Sequence, residues 1–276
     1  MYQSASFKYI PLLLLLFACS KPAEQENRIT VSIEPQRYFA EQLTDSLFEI
    51  ITMVPPGSSP ESYDPTPQQM TQLSRSKAYF GIGPIGFELA WLDRFKQNNP
   101  KVVFFDNSEG IPNIHHHADD PHSWASPKEA RIIVQNMYQA LVQIDSMHTE
   151  TYQANLTKLL KEIDTTDRIV QSCLAQTTPK AFIIYHPALS YFARDYGLKQ
   201  YAIETDGKEP SPEQLKQLVD IVKKENIRTI FIQQEFNRNN AEIIAQETGC
   251  RLEIINPLAY NWQEEVIRIA KTLCDE

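Results

Sequence analysis

Short apolar runs and stretches of helical periodicity alternate along most of this chain. Apolar runs at 29–33, 48–54, 78–83 and 102–105 read as strands, and the patterns at 35–43, 66–75 and 87–97 read as helices. A Pro55-Pro56-Gly57 turn closes the second strand. The same alternation returns later. Strands are expected at 181–185, 200–204, 229–233 and 251–255, and helices at 189–196, 212–225, 237–248 and 262–273. Gly197 and Gly249 stand where helix C-caps belong. Between these two series no Gly or Pro interrupts the chain from Lys128 to Thr178. Ser126-Pro127-Lys128-Glu129 makes a good helix start. Ala130, Ile133, Val134, Met137, Leu141, Ile144 and Met147 follow at helical spacing, so two helices are expected, at about 127–147 and about 149–174. Alternating strands and helices imply parallel sheets covered on both faces. The pattern predicts an α/β protein of two parallel-sheet βα domains joined by a long rigid helix.

The first 27 residues fall outside that pattern. A weakly basic start, an apolar run at 10–17 and the pair Ala18-Cys19 read as a secretory leader. The run is too short for a mature span, which takes about 20 apolar residues. Leu16-Phe17-Ala18-Cys19 resembles a bacterial lipobox, in which Cys19 is lipidated and becomes the mature N-terminus. The expected organisation is a lipoprotein signal peptide at 1–18, a polar tether at 19–27, an N-terminal α/β domain at 28–125, a linker helix at 126–148 and a C-terminal α/β domain at 149–276. The net charge of −9 argues against nucleic-acid binding, and no basic membrane-facing stretch is present. Cys173, Cys250 and Cys274 lack C-x-x-C spacing, which argues against a cysteine-based zinc site. An oxidising compartment permits a disulfide in any of three pairings among them, of which Cys250–Cys274 is the first choice.

Histidines stand at 115, 116, 117, 122, 148 and 186. His148 lies between the two central helices and reads as a surface residue. His122 follows Asp119-Asp120-Pro121 just before the central helix. His186 follows the strand at 181–185, and Glu61 follows the strand at 48–54. In open α/β sheets, ligands bind beyond the carboxyl ends of strands. Three strand-end loops are therefore expected to bring one carboxylate and two imidazoles to a single cleft, a donor set that suits zinc.

At these residues the chain resembles the metal-binding subunits of bacterial zinc and manganese ABC importers. Pro56–Pro67 looks like that family's first metal loop, with Glu61 where the family has His. Asp120-Pro121-His122-Ser123-Trp124 resembles the second, with His122 as ligand. His186-Pro187-Ala188 followed by Tyr191-Phe192-Ala193-Arg194-Asp195-Tyr196-Gly197-Leu198 resembles the third, with His186 as ligand. Glu209-Pro210-Ser211-Pro212 resembles the signature that opens a helix of the C-terminal domain. Ile255-Asn256-Pro257-Leu258 resembles the fourth metal loop, with Asn256 where the family has Asp. The family more often has Glu at Gln233 and Gln at Glu235. The resemblance implies a site at the domain interface, with Glu61, His122 and His186 as ligands and Glu235, Asn256 or water in fourth place. It implies Zn2+ as the ion, with Mn2+ or Fe2+ as alternatives. It further implies an ABC permease partner, a monomer, and a lipid anchor at the periplasmic face of a bacterial membrane. Zinc-specific members often carry a His-rich loop where His115, His116 and His117 stand, and imidazole suits zinc. That loop is expected to collect zinc beside the main site.

Two other classes compete with a transport protein. A metal-dependent hydrolase also uses two His and one Glu around zinc, but His-Glu-x-x-His is absent here. Adhesion has been proposed for lipoproteins of the resembled family. The expectation is a binding protein and not an enzyme.

Overall fold

The computed structural model describes residues 25–114, 120–178, 180–204 and 207–274. Two four-stranded parallel sheets organise the chain. The first holds β1 (Arg28–Val31), β2 (Glu49–Thr52), β3 (Ala78–Gly81) and β4 (Val103–Asp106) in the order β2-β1-β3-β4. The second holds β5 (Ala181–Ile184), β6 (Lys199–Ala202), β7 (Thr229–Gln233) and β8 (Arg251–Ile255) in the order β6-β5-β7-β8. The order is the same in both, although no internal repeat is visible in the sequence. In each sheet the chain leaves one side of the first strand and returns on the other. That reversal opens a crevice at the carboxyl ends of β1 and β3, and of β5 and β7.

Helices α1 (Glu34–Thr44), α2 (Pro67–Ser74) and α3 (Gly86–Asn98) flank the first sheet, and α6 (Ser190–Asp195), α7 (Pro212–Glu225), α8 (Asn239–Thr248) and α9 (Trp262–Cys274) flank the second. Local chemistry sets their ends. Thr66 and Ser211 each accept from the third helical N–H, with Pro at the first helical position and Gln69 or Gln214 returning the bond to the cap. Gly249 closes α8 in the left-handed region at φ 74°.

Helices α4 (Pro127–Ile144) and α5 (Thr149–Leu174) link the two sheets. Ser126 caps α4 by accepting from the Lys128 N–H. Asp145 ends it, and a short 3-10 turn, Ser146–His148, follows. Met147, placed by sequence on the apolar stripe, is instead 88% exposed on that turn. At 1.5 Å per residue α5 is about 39 Å long. It packs on α4, α1 and α9. One continuous apolar core therefore runs from Ile29 and Phe39 through Ile163 and Val170 to Phe231 and Trp262. A second, separate cluster lies between the outer face of the second sheet and α7 and α8.

The expected Cys250–Cys274 pair is wrong. Cys173 near the end of α5 bonds Cys274 at the end of α9, with their Cα atoms 5.9 Å apart. The two helices pack side by side and bring those ends together. Cys250 is buried and outside the disulfide, with its thiol against the Ile227 carbonyl at 3.2 Å. Cys19 lies outside the described residues. The last tether residues are docked. Gln25 donates to the Lys101 carbonyl at 2.6 Å, and the Glu26 N–H donates to the Arg75 carbonyl at 2.8 Å, both at the amino-end rim of the first sheet. Among the described residues, no helix is long and apolar enough to cross a membrane.

Candidate metal centre

Glu61, His122 and His186 meet at the carboxyl ends of the strands, with one donor atom of each within 4.8 Å of the others. The two Nε2 atoms are 3.1 Å apart. Glu61 Oε1 is 3.6 Å from His122 Nε2 and 3.9 Å from His186 Nε2. Tetrahedral zinc with Zn–N near 2.0–2.1 Å sets donors about 3.3–3.4 Å apart. The trio is spaced for one such ion with small adjustments.

Each donor is held differently. His122 stands at the entry to a short 3-10 turn, Ser123–Ala125, and is 5% exposed. Its Nδ1 lies 2.8 Å from Asp120 Oδ1, which also accepts from the His122 backbone N–H at 3.0 Å. The Trp124 ring sits 5.2 Å from the imidazole. That indole donates to the Pro257 carbonyl at 3.0 Å, and Trp262 donates to the Trp124 carbonyl at 2.6 Å. The loop is thereby fixed to the chain that leads into α9.

His186 leaves the end of β5. Its Nδ1 lies 2.6 Å from Glu204 Oε1, just past β6. Gln233, the last residue of β7, grips the His186 backbone from both sides. Its amide nitrogen donates to the carbonyl at 2.7 Å and its oxygen accepts from the N–H at 3.3 Å. Phe236 stacks on the imidazole, with ring centres 5.4 Å apart and planes 14° apart.

With Asp120 and Glu204 accepting from the two Nδ1–H groups, both Nε2 lone pairs turn into the cleft. At 3.1 Å apart, those two lone pairs are placed to be shared by one cation. Burial pushes the Asp120 carboxyl up, but hydrogen bonds from His122 and Ser190 and attraction to His122 bring it below its ordinary value. It therefore stays an acceptor.

Glu61 is different. Its side chain is 35% exposed on the loop after β2. The Pro60 carbonyl accepts from the Phe87 N–H at 2.9 Å, and Trp91 donates to Asp64 at 2.9 Å, so the start of α3 holds the loop. A Cβ on Gly86 would lie 2.3 Å from the Glu61 carbonyl oxygen. Only glycine lets the backbone come so close.

Among the fourth-place candidates, Glu235 lines the same cavity as the three donors, along with Phe236 and Leu258. Burial raises its carboxyl above the ordinary value. Asn256 lines a neighbouring cavity instead, beside Glu34 and Pro56, and its side-chain oxygen accepts from the Leu258 N–H at 3.1 Å. His115, His116 and His117 lie outside the described residues. His148 is far along the chain on the turn before α5, with Nδ1 2.7 Å from Asp145. Sequence reasoning missed Glu204, Gln233 and Gly86 as supports. A carboxylate ending the expected strand at 200–204 was the available signal for Glu204.

The family model described as zinc-uptake complex component A, periplasmic, matches residues 29–269. A putative metal-binding protein of Chlamydia muridarum is 24% identical over 278 residues, covering 96% of this chain and 99% of that protein. The zinc-binding lipoprotein AdcA of Streptococcus pneumoniae is 26% identical over 91% of this chain, which spans only 54% of that longer protein. A crystal structure of ZnuA superposes with a TM-score of 0.86 at 35% identity, covering 92% of this chain and 98% of that one. The two repeated sheets, the long linking helix and a family match along nearly all the described residues agree: the chain belongs to the periplasmic zinc-uptake component A family of solute-binding proteins.

Proposed function

We propose that this chain captures a zinc ion outside the cytoplasm and delivers it to an ABC import permease. Glu61, His122 and His186 are the proposed ligands, and Glu235 the proposed fourth. The observation that carries the reading is the convergence of three donors from three separate loops within 4.8 Å. Two imidazole nitrogens with one carboxylate form a donor set suited to zinc. The cavity they line is small, about 10 Å3, the room one water or one ion needs. A hydrolase needs a separate general base beside the metal, and the sequence lacks the His-Glu-x-x-His that would supply one, which favours carriage over catalysis.

The proposed division into 28–125, 126–148 and 149–276 is supported by the sheets, since β1–β4 fall in the first segment and β5–β8 in the last. A leader at 1–18 and a lipidated Cys19 would place the protein on the envelope side of a membrane as a monomeric carrier. The tether docks at the amino-end rim of the first sheet, whereas the donors lie past the carboxyl ends. An anchor at Cys19 would thus hold the metal cleft away from its own attachment point. His115, His116 and His117 are proposed as an accessory zinc-collecting run. A shell of two imidazoles and one carboxylate keeps Mn2+ or Fe2+ as the second choice of ion.

Metal content of the protein purified without chelators or affinity tags tests the reading. Mass spectrometry is expected to find one zinc per chain, retained on dialysis. Dialysed protein without zinc, or equal zinc in a His122→Ala/His186→Ala variant, would overturn the assignment. Manganese or iron in place of zinc would select the second choice.

A further inference from the structure

Tyr191-Phe192-Ala193-Arg194-Asp195 is conspicuous in the sequence yet donates nothing to the proposed metal. In the fold it forms α6, which begins four residues after His186 and belongs to the second sheet's half. Tyr191, Arg194 and Asp195 reach the His122 loop and the start of α4. Tyr191 Oη donates to the Asp120 carbonyl at 3.2 Å. Ser126 donates to the Asp195 carboxylate, and Lys128 Nζ donates to the Asp195 carbonyl at 3.3 Å. Arg194 pairs with Glu129 across the boundary and with Asp195 at 2.9 Å, while its guanidinium lies 4.9 Å over the Tyr191 ring.

The acceptors of this cluster are buried, while Arg194 is one-third exposed. Ser126 is fully buried and Glu129 4% exposed, and the Asp120 and Asp195 side chains are 5% and 7% exposed. Breaking one member leaves a desolvated partner behind, which costs far more than a surface ion pair. Each end of the cluster is also tied to an imidazole. Asp120 accepts from His122 Nδ1, and α6 continues directly from the His186 loop.

We infer that α6 is a latch that sets the separation of the two imidazoles before any metal arrives, with Tyr191, Arg194 and Asp195 as positioning residues. The inference rests on the proposed zinc site for its purpose, but the latch exists without metal. A shift of α6 carries Asp120, and with it His122, relative to His186. Outer groups that orient a ligand are worth roughly 10–100-fold in metal affinity when removed.

Four variants test the latch by zinc affinity, the Co2+ spectrum and amide exchange, with Tm as the check on stability. Tyr191→Phe removes one hydroxyl and keeps the ring. Arg194→Ala breaks the pair with Glu129, and Arg194→Lys restores a charge there. Tyr152→Phe is the control, because it removes a 2.6 Å bond to Asp145 at the far end of α4, away from the cluster. Chelator competition is expected to show zinc affinity falling about tenfold in Tyr191→Phe and further in Arg194→Ala, with part regained in Arg194→Lys. The visible spectrum of bound Co2+ shifts in the first two. Tyr152→Phe lowers Tm and leaves both readouts at wild-type values. In the metal-free proteins, amide exchange at residues 120–126 speeds up in Tyr191→Phe and Arg194→Ala only. Wild-type affinity and spectrum in both latch variants, or wild-type exchange at 120–126, would overturn the inference. If the wild-type protein binds no zinc, the proposed function fails while the exchange measurement still decides the latch.

Discussion

The two imidazoles and the carboxylate of the candidate site are built on opposite principles. His122 and His186 have side chains 7% and 14% exposed, and each Nδ1 faces a buried carboxylate. Glu61 is 35% exposed, and a close backbone contact to Gly86 positions it. Rigid donors cost little ordering entropy when an ion arrives, whereas an exposed one must be recruited. The difference points to a shell two-thirds pre-set, with Glu61 as the part that adapts.

The contrast breaks most easily at the ligands. His122→Ala or His186→Ala is expected to weaken zinc binding by more than about a hundredfold, since loss of an outer support alone is worth up to roughly that. Glu61→Ala is expected to cost about tenfold, because water can take its exposed place. Calorimetry or chelator competition on the three variants checks the ranking. Equal losses would mean that Glu61 is as pre-set as the imidazoles.

The support under Glu61 carries a second, separable signature. Glu88 on α3 is 3% exposed and accepts from Ser32, from Tyr79 and from the Ile82 N–H. Burial pushes its carboxyl from 4.5 to about 7, against the hydrogen bonds that favour the ion. Between those two values the unfolded chain has lost a proton that the folded chain keeps. Stability from this group is therefore full below pH 4.5 and is lost as pH rises to about 7. The total is about 3 kcal/mol at about 1.4 kcal/mol per pKa unit. Glu88→Gln should abolish that slope in denaturant titrations of metal-free protein at pH 5 and pH 8. Zinc affinity at pH 8 should not change, because Gly86 rather than Glu88 touches the Glu61 loop. A parallel fall in affinity would merge the two supports into one.

Much of this arrangement was readable before any coordinates. Strand runs bounded by Pro-Pro-Gly or by helix caps are local signals, and the expected strands and helices all recur with ends shifted by a few residues. His122, His186 and Glu61 were legible because each follows a strand or opens a helix, and such ends converge in parallel sheets. Pairings between distant segments were not legible. Glu204 meets His186 across 18 residues, and Cys173 meets Cys274 across 101. Spacing along the chain carries no record of which helix ends lie side by side. That depends on how α5 packs against α9. Met147 failed for a related reason, because helical period continued in sequence past the residue where Asp145 ends α4.

Gly86 offers the finest test of the contrast, because ordinary helix chemistry predicts the opposite sign. It is the first residue of α3, and Ala for Gly within a helix normally stabilises by about 0.5–1 kcal/mol. Here the new methyl would lie 2.3 Å from the Glu61 carbonyl oxygen and 2.8 Å from its Cα, both backbone atoms that cannot rotate away. The loop must move, and the bond from the Phe87 N–H to the Pro60 carbonyl stretches or breaks, at a net cost of about 1 kcal/mol. Gly86→Ala is thus expected to lower stability by about that amount and to weaken zinc binding several-fold, in proportion to Glu61's share. In a Glu61→Ala background the same change should cost stability and leave affinity where Glu61→Ala alone put it, since residues acting through one contact are not additive. Additive losses would show that Gly86 acts on the imidazole pair as well, and the division between pre-set and adaptable donors would no longer hold.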